Sequence, residues 1–444
     1  MMILGVNARV LGAHLAGWRH PKAWSRTVMN LGHMIEYAEL AEQGKLHFMF
    51  LADGNGVRHM DKPGLFAATT PSDRPAAFEP VTLLSALAMK TQRLGLVATA
   101  TTTYEEPFTL ARKFASLDNL SGGRAAWNLI TTANPGDAMN FSRTEHVARD
   151  MRYQRAAEFI EVVRGLWDSW ADDAFPQDKE SGQFLDPARV HTLNHKGKFF
   201  SVLGPLNVAR SPQGRPLVFS AGQSEPGKEL IARIADCMFA TGNSKEASQA
   251  VYADIKGRME KYGRRSDELK ILPDMTVCVA ESRSQASELY EELQQLISPE
   301  LGVSFLSKQL DMDLSAYPID GPVPDLGDMP VGGTSARTAI AEIAHKDGLS
   351  IRQTYQKTVG GAGGSIFMGT AVDVADQMQD WFEGKACDGF VLCGLTMPDG
   401  LDKIVKLLVP ELQRRGLFHR DYAGSTLREN IGLPIATNAF FKAS

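Results

Sequence analysis

Cysteine is scarce: there are four in 444 residues, Cys237, Cys278, Cys387 and Cys393, each inside an apolar, strand-like run. None forms a CxxC pair or keeps zinc-type spacing to a histidine, so neither a disulfide scaffold nor a zinc module is indicated. They read as buried thiols of a protein in a reducing cytoplasm. An excess of positive charge is also missing. Lys and Arg total 47 against 52 Asp and Glu, a net charge of −5, which leaves no basic footprint for nucleic acid. No apolar run approaches the ~20 residues that a membrane helix needs. The opening MMILGVNARV lacks the basic flank and long apolar core of a signal peptide and reads as a first strand.

Nucleotide and catalytic signatures are missing too. No GxGxxG follows a strand, and there is no P-loop. Gly360 to Gly364 is glycine-rich but lacks the lysine and hydroxyl residue of a phosphate loop, so it reads as a mobile hinge. No lysine ends a strand, which disfavours Schiff-base chemistry. No His-x-His or carboxylate cluster ends a strand, which disfavours metal hydrolysis.

What is present is alternation. Apolar strand-like runs lie at Met2–Val10, Leu46–Ala52, Leu94–Ala98, Ala125–Ile130, Leu217–Ala221, Cys237–Ala240, Ile271–Ala280, Ser365–Met368 and Gly389–Cys393. Between them run helical patterns such as Asn30–Gln43, Pro80–Lys90, Pro107–Leu120 and Asp150–Ser169. About eight strand–helix units, and no shorter repeat, predict a single α/β domain over 1–444, a (β/α)8 TIM barrel. An open doubly wound sheet is the alternative. Residues 171–214 and 298–364 lose periodicity and read as two insertions, the first with a hairpin and the second a possible lid. Residues 415–444 read as an irregular tail. The loop from Gly54 to Glu79 is long and rich in Gly and Pro, as functional or mobile loops are.

In a barrel the chemistry sits at the C-terminal ends of the strands. Those ends would carry Asn7, Asp53, Thr99 to Thr103, Asn128, Thr131, Ser224 and Thr241. This is a neutral mouth of hydroxyls and amides, suited to a cofactor that brings its own reactivity. Ser224, in Ala-Gly-Gln-Ser before a helix, can face a phosphate with the free N–H groups of that helix. It also reads as a plain helix cap. Arg149 and Tyr153 lie one helical turn apart and could clamp the same phosphate, or be a solvated arginine and a half-buried tyrosine. His14, His20 and His146 are candidate proton carriers or structural histidines, and Trp18 and Trp24 either line an apolar pocket or simply pack.

Five blocks carry a resemblance: FLAD at Phe50–Asp53, ATATTTYEEPF at Ala98–Phe108, ARKFASLDNLSGGRAAWNLITT at Ala111–Thr132, RYQRAAEF at Arg152–Phe159 and SAGQSEPGKELIAR at Ser220–Arg233. With AGWRHP at Ala16–Pro21 and RRGLFHRDYAGSTLRENIGL at Arg414–Leu433, the chain resembles the bacterial-luciferase-like flavin monooxygenases over nearly its whole length. Within them it is similar to the branch of nitrilotriacetate and EDTA monooxygenase large components, dibenzothiophene sulfone monooxygenase and long-chain alkane monooxygenase.

That resemblance implies a TIM barrel with insertions. It also implies FMN, delivered as FMNH2 by a separate NAD(P)H-dependent flavin reductase, together with O2 and a small organic substrate. The family's flavin contacts fall on Asp53, Thr99, Tyr153 and Ser224, with Gly222, Asn128 and Thr101 nearby. A histidine is frequent where this chain has Arg149, which as a bidentate fork still suits a phosphate. The implied chemistry adds oxygen at the flavin C4a carbon to give a hydroperoxide, which then oxygenates a C–N, C–S or C–H centre. Asn128 would position the ring, and His14 or His20 would supply a proton. Relatives suggest a homodimer or homotetramer. A flavin carrier or sensor without turnover, or a deazaflavin-dependent dehydrogenase, would use the same barrel.

Overall fold

A computed structural model describes residues 1–57, 76–242, 244–325, 335–358 and 366–441. Its strands are β1 (Ile3–Asn7), β2 (Phe48–Leu51), β3 (Gly95–Thr101), β4 (Ala125–Ile130), β5 (His195–Lys196), β6 (Ser201–Val202), β7 (Leu217–Ala221), β8 (Cys237–Thr241), β9 (Lys270–Val279), β10 (Ile366–Gly369) and β11 (Gly389–Gly394). The short pair β5–β6 forms an antiparallel hairpin inside 171–214. The other nine form one parallel sheet in the order β10-β9-β11-β1-β2-β3-β4-β7-β8, and β8 pairs back onto β9. That last pairing closes a ring of β1, β2, β3, β4, β7, β8, β9 and β11: a (β/α)8 barrel, as expected, and not an open sheet.

One strand-like run stands outside the ring. Among the described residues β10 pairs only with Thr276–Val279 of β9. β9 is ten residues long because it serves three neighbours in succession, β8 at Lys270–Asp274, β11 at Asp274–Val277 and β10 at its end.

The helices are α1 (Leu31–Gln43), α2 (Pro80–Ala88), α3 (Pro107–Leu120), α4 (Arg149–Trp167), α5 (Glu225–Ile234), α6 (Lys245–Arg258), α7 (Arg283–Gln295), α8 (Pro299–Leu310), α9 (Ser335–Lys346), α10 (Ile351–Thr358), α11 (Ala371–Glu383), α12 (Asp399–Lys403), α13 (Val409–Arg414) and α14 (Leu427–Asn430). Their starts follow local chemistry. Proline opens α2 and α3, where its missing N–H costs nothing, and Ser224, Ser244 and Ser282 cap α5, α6 and α7. Within the second insertion α8, α9 and α10 enclose a small apolar core of their own, including Leu306, Leu310, Ile351 and Tyr355, which Leu15 and Ala16 join. The hinge expected at Gly360–Gly364 and most of the loop expected at 54–79 lie outside the described residues.

The tail is less irregular than its sequence suggests. Thr426 and Glu429 form a capping box that starts α14. Leu427, Ile431 and Leu433 then enter the cluster inside the ring, beside Ile3, Phe48, Val97, Ala126 and Leu217. Leu427 N–H donates to Gly123 O, just before β4, so the tail plugs the N-terminal end of the barrel. With that end sealed, the opposite end is the open mouth.

Candidate active site

Successive side chains of a strand point to opposite faces, so the inner cluster fixes which residues line the mouth. Ile3 of β1, Val97 of β3, Ala126 of β4, Cys237 of β8 and Leu272 of β9 all pack inside the ring. By alternation Asn7, Thr99 and Thr101, Asn128, Thr241, and Asp274 and Thr276 therefore face inward nearer the mouth. Below them a dry floor of Phe48, Phe50, Phe219 and Phe239 fills the barrel. The mouth is polar because apolar strands end in amides and hydroxyls, as expected.

Two of the expected phosphate residues meet. The Ser224 hydroxyl caps α5, accepting from Gly227 N–H at 3.3 Å, and donates to the Tyr153 hydroxyl of α4 at 3.1 Å. A Cβ on Gly227 would stand 3.1 Å from both hydroxyl oxygens, and one on Gly222 would stand 3.7 Å from that of Tyr153. Glycine at these positions keeps the two hydroxyls clear in front of a helix N-terminus, the arrangement that favours an anion. Arg149 opens α4, exposed, one turn before Tyr153.

A second group spans three strands. Asn128 of β4 donates its amide to Thr99 Oγ1 at 2.9 Å, and Thr99 in turn donates to Leu51 O at the end of β2, at 2.8 Å. The other half of the amide is idle: Asn128 Oδ1 is buried without a partner among the described residues. An orphaned acceptor facing a mouth fits a ligand bearing N–H groups, and a flavin ring bears them. Asp53 follows β2 by two residues, half-buried. Thr101 is engaged otherwise. Its hydroxyl shares a hydrogen with Thr132 Oγ1 at 2.7 Å and accepts from Thr103 N–H at 3.0 Å, clasping two loops together.

The histidines separate. His14 is buried, and burial lowers its pKa to about 4, so the ring is neutral at pH 7. Its Nδ1 accepts from Ala16 N–H at 3.1 Å, which puts the ring proton on Nε2, without a partner among the described residues. It serves as an N–H donor, not as an imidazolium. His20 stands against α7, its Nε2 3.7 Å from Glu292. His146 is held at both nitrogens, by the Tyr104 hydroxyl at 2.7 Å and by Thr132 O at 3.1 Å. Burial, and Arg152 nearby, lower its pKa. Trp24 stacks on His33 with centroids 4.6 Å apart, while Trp18 is exposed, so the two indoles do not form a shared pocket wall.

Sequence reasoning passed over two charged residues of the mouth. Asp274 is the only acidic residue in the eight ring strands, and it points inward. Its Oδ2 accepts from Asn7 Nδ2 at 3.0 Å and from Arg9 Nη2 at 3.3 Å. Burial pushes its carboxyl upward, against the pull of Arg9 and Asn7. The available signal was a lone acid in the apolar run KILPDMTVCV.

The family model described as luciferase-like monooxygenase matches residues 10–385. The chain is 45% identical over 441 residues to N-acetyl-S-(2-succino)cysteine monooxygenase of Bacillus subtilis (strain 168), covering 99% of this chain and 98% of that protein. It is 44% identical over 453 residues to nitrilotriacetate monooxygenase component A of Aminobacter aminovorans, covering 100% and 99%. Among solved structures, a riboflavin lyase with modified FMN and riboflavin superposes with a TM-score of 0.83 at 29% identity, covering 97% of this chain and 95% of that one.

Proposed function

We propose, from the premise that this chain belongs to the luciferase-like monooxygenase family and is a flavin-dependent monooxygenase, that it is the oxygenating half of a two-component enzyme. It receives FMNH2 from a separate NAD(P)H-dependent flavin reductase. It inserts one atom of O2 into a small organic substrate, and the other atom leaves as water. The observation that carries this reading is the pairing of two hydroxyls at a helix start with an amide oxygen that has no partner among the described residues, after and on neighbouring strands of one mouth. When bound, the reduced flavin supplies the two electrons that activate oxygen.

The chain's own residues do the rest. Ser224, Tyr153 and Arg149 hold the phosphate, with Gly222 and Gly227 leaving it room. Asn128, steadied by Thr99, would offer its carbonyl oxygen to an N–H of the flavin ring, and Asp53, two residues past β2, would be a further contact. The aromatic floor excludes water, which protects reactive oxygen species from wasteful breakdown. His14 holds a proton at Nε2 on the β11 side, where its main chain bonds Leu395 O.

The test is FMNH2 affinity under anaerobic conditions. Ser224→Ala with Tyr153→Phe raises Kd tenfold or more, about 1.4 kcal/mol. An unchanged Kd would remove the phosphate assignment. With a reductase, NADH and 18O2, one labelled oxygen enters the product; peroxide alone, across a substrate panel, would point to a flavin carrier instead.

A further inference from the structure

Around the ring β1, β2, β3, β4, β7, β8, β9, β11, strand β7 stands four places from β1 in either direction. The phosphate site follows β7, so Asn7 and Arg9, which end and follow β1, lie diametrically across the mouth from it. Asn128, Thr99 and Asp53 belong to the arc between, on β4, β3 and after β2. The sector of β9, β11 and β1 is left over once the flavin contacts of the proposed function are assigned, and it is the sector that holds a charged pair.

Arg9 is drawn into the mouth by its bond to the inward-facing Asp274, yet the pair is thin. One guanidinium nitrogen touches one carboxylate oxygen at 3.3 Å, and that oxygen also serves Asn7. Arg9 Nε is buried with no partner among the described residues, and Asp274 is the only hydrogen-bond partner of the Arg9 side chain among them. Arginine presents five N–H donors in a flat fork that matches a carboxylate with two bonds at once. Here one nitrogen of the fork meets Asp274, Nε is buried without a partner among the described residues, and 31% of the side chain is exposed, so the fork can still be reached from solvent. An unspent, partly desolvated guanidinium is stabilised by an anion. Burial pushes the Asp274 carboxyl upward while Arg9 and Asn7 pull it down, and its Oδ2 is shared between those two donors.

We propose that Arg9, held in place by Asp274 and Asn7, selects substrates that carry a carboxylate and docks that carboxylate across the mouth from the flavin phosphate. The substrate class is thus a small anionic molecule whose oxidised centre lies a few bonds from a carboxylate. This inference rests on the flavin reading of the preceding subsection.

The test uses the full chain loaded with FMN, titrated by calorimetry with N-acetyl-S-(carboxymethyl)cysteine and with its dimethyl ester. The wild type binds the diacid at least tenfold more tightly than the diester. Arg9→Met erases that preference, Arg9→Lys keeps part of it, and FMN affinity stays within twofold in both. Arg9→Met combined with Asp274→Asn leaves no lone carboxylate and serves as the variant whose folding is least at risk. Equal binding of acid and ester by the wild type, no binding of the acid, a preference that survives in both Met variants, or a parallel loss of FMN would overturn the proposal. Should the wild type bind neither FMN nor, under anaerobic conditions, FMNH2, the functional reading fails separately, and the same acid and ester titrations without flavin still decide the role of Arg9.

Discussion

Asn128 spends one amide hydrogen on Thr99 and leaves its carbonyl oxygen buried with nothing to accept from among the described residues. An unsatisfied buried acceptor costs roughly 1–3 kcal/mol, so the residue is a stability liability that a bound ligand relieves. Asn128→Leu, close in volume and apolar, therefore leaves the thermal midpoint of the free protein unchanged or higher. The same change weakens FMN binding about fivefold or more and raises the peroxide released per NADH consumed. A fall in midpoint with FMN affinity intact would make Asn128 a structural residue. His14 is its counterpart on the other side, a neutral ring with a spare N–H, and a single change there alters hydrogen-bond donation more than charge.

At the scale of elements, the block SGGRAAWN divides into two jobs. Gly122 and Gly123 turn with φ of +68° and +89°, in the left-handed region that glycine tolerates, and a Cβ on Gly123 would stand 2.9 Å from Thr426 Cγ2. Arg124 then staples the closed end of the barrel. Its guanidinium donates to Thr91 Oγ1, Leu94 O, Ala88 O, Thr91 O and Ser121 O. Only Asn128, further along β4, belongs to the mouth. Gly123→Ala should cost about 1–2 kcal/mol through backbone strain, and Arg124→Met about 3–5 kcal/mol by orphaning buried carbonyls and their partners. Chemical denaturation reads both, with FMN affinity per folded molecule preserved. A loss of flavin binding at full stability would mean that the turn reaches the site. The block was legible as helix, turn and strand because periods and glycines are local signals. That its most distinctive arginine is structural could not be read, since the partners of Arg124 lie on other elements.

For the whole molecule, two buried histidines weaken the fold in acid. Burial holds His14 at about 4 and His47 at about 3, against 6.5 when exposed. The folded chain thus binds fewer protons than the unfolded one between these values. Stability is full above pH 6.5 and declines as the pH falls from there toward 4. Asp118 opposes this: raised to about 6 by burial, it gains stability as the pH falls from 6 toward 3.8. Melting from pH 7.5 to 4.5 should therefore show a declining midpoint, less steep in His47→Gln. Parallel curves for wild type and variant would deny His47 that role.

Periodicity, glycine turns and helix caps were enough to determine the alternation of strands and helices, the polar character of the strand ends and the placement of Ser224 before a helix. Those are properties of neighbours in the chain. Tertiary structure alone decided which strands close the ring, that β10 stays outside it, and that the tail seals one end so the other must be the mouth. It also decided which polar groups meet: Ser224 and Tyr153 across 71 positions, and Arg9 and Asp274 across 265. The reason is geometric. A strand's side-chain period says which residues share a face, but only closure of the sheet says which faces look at one another.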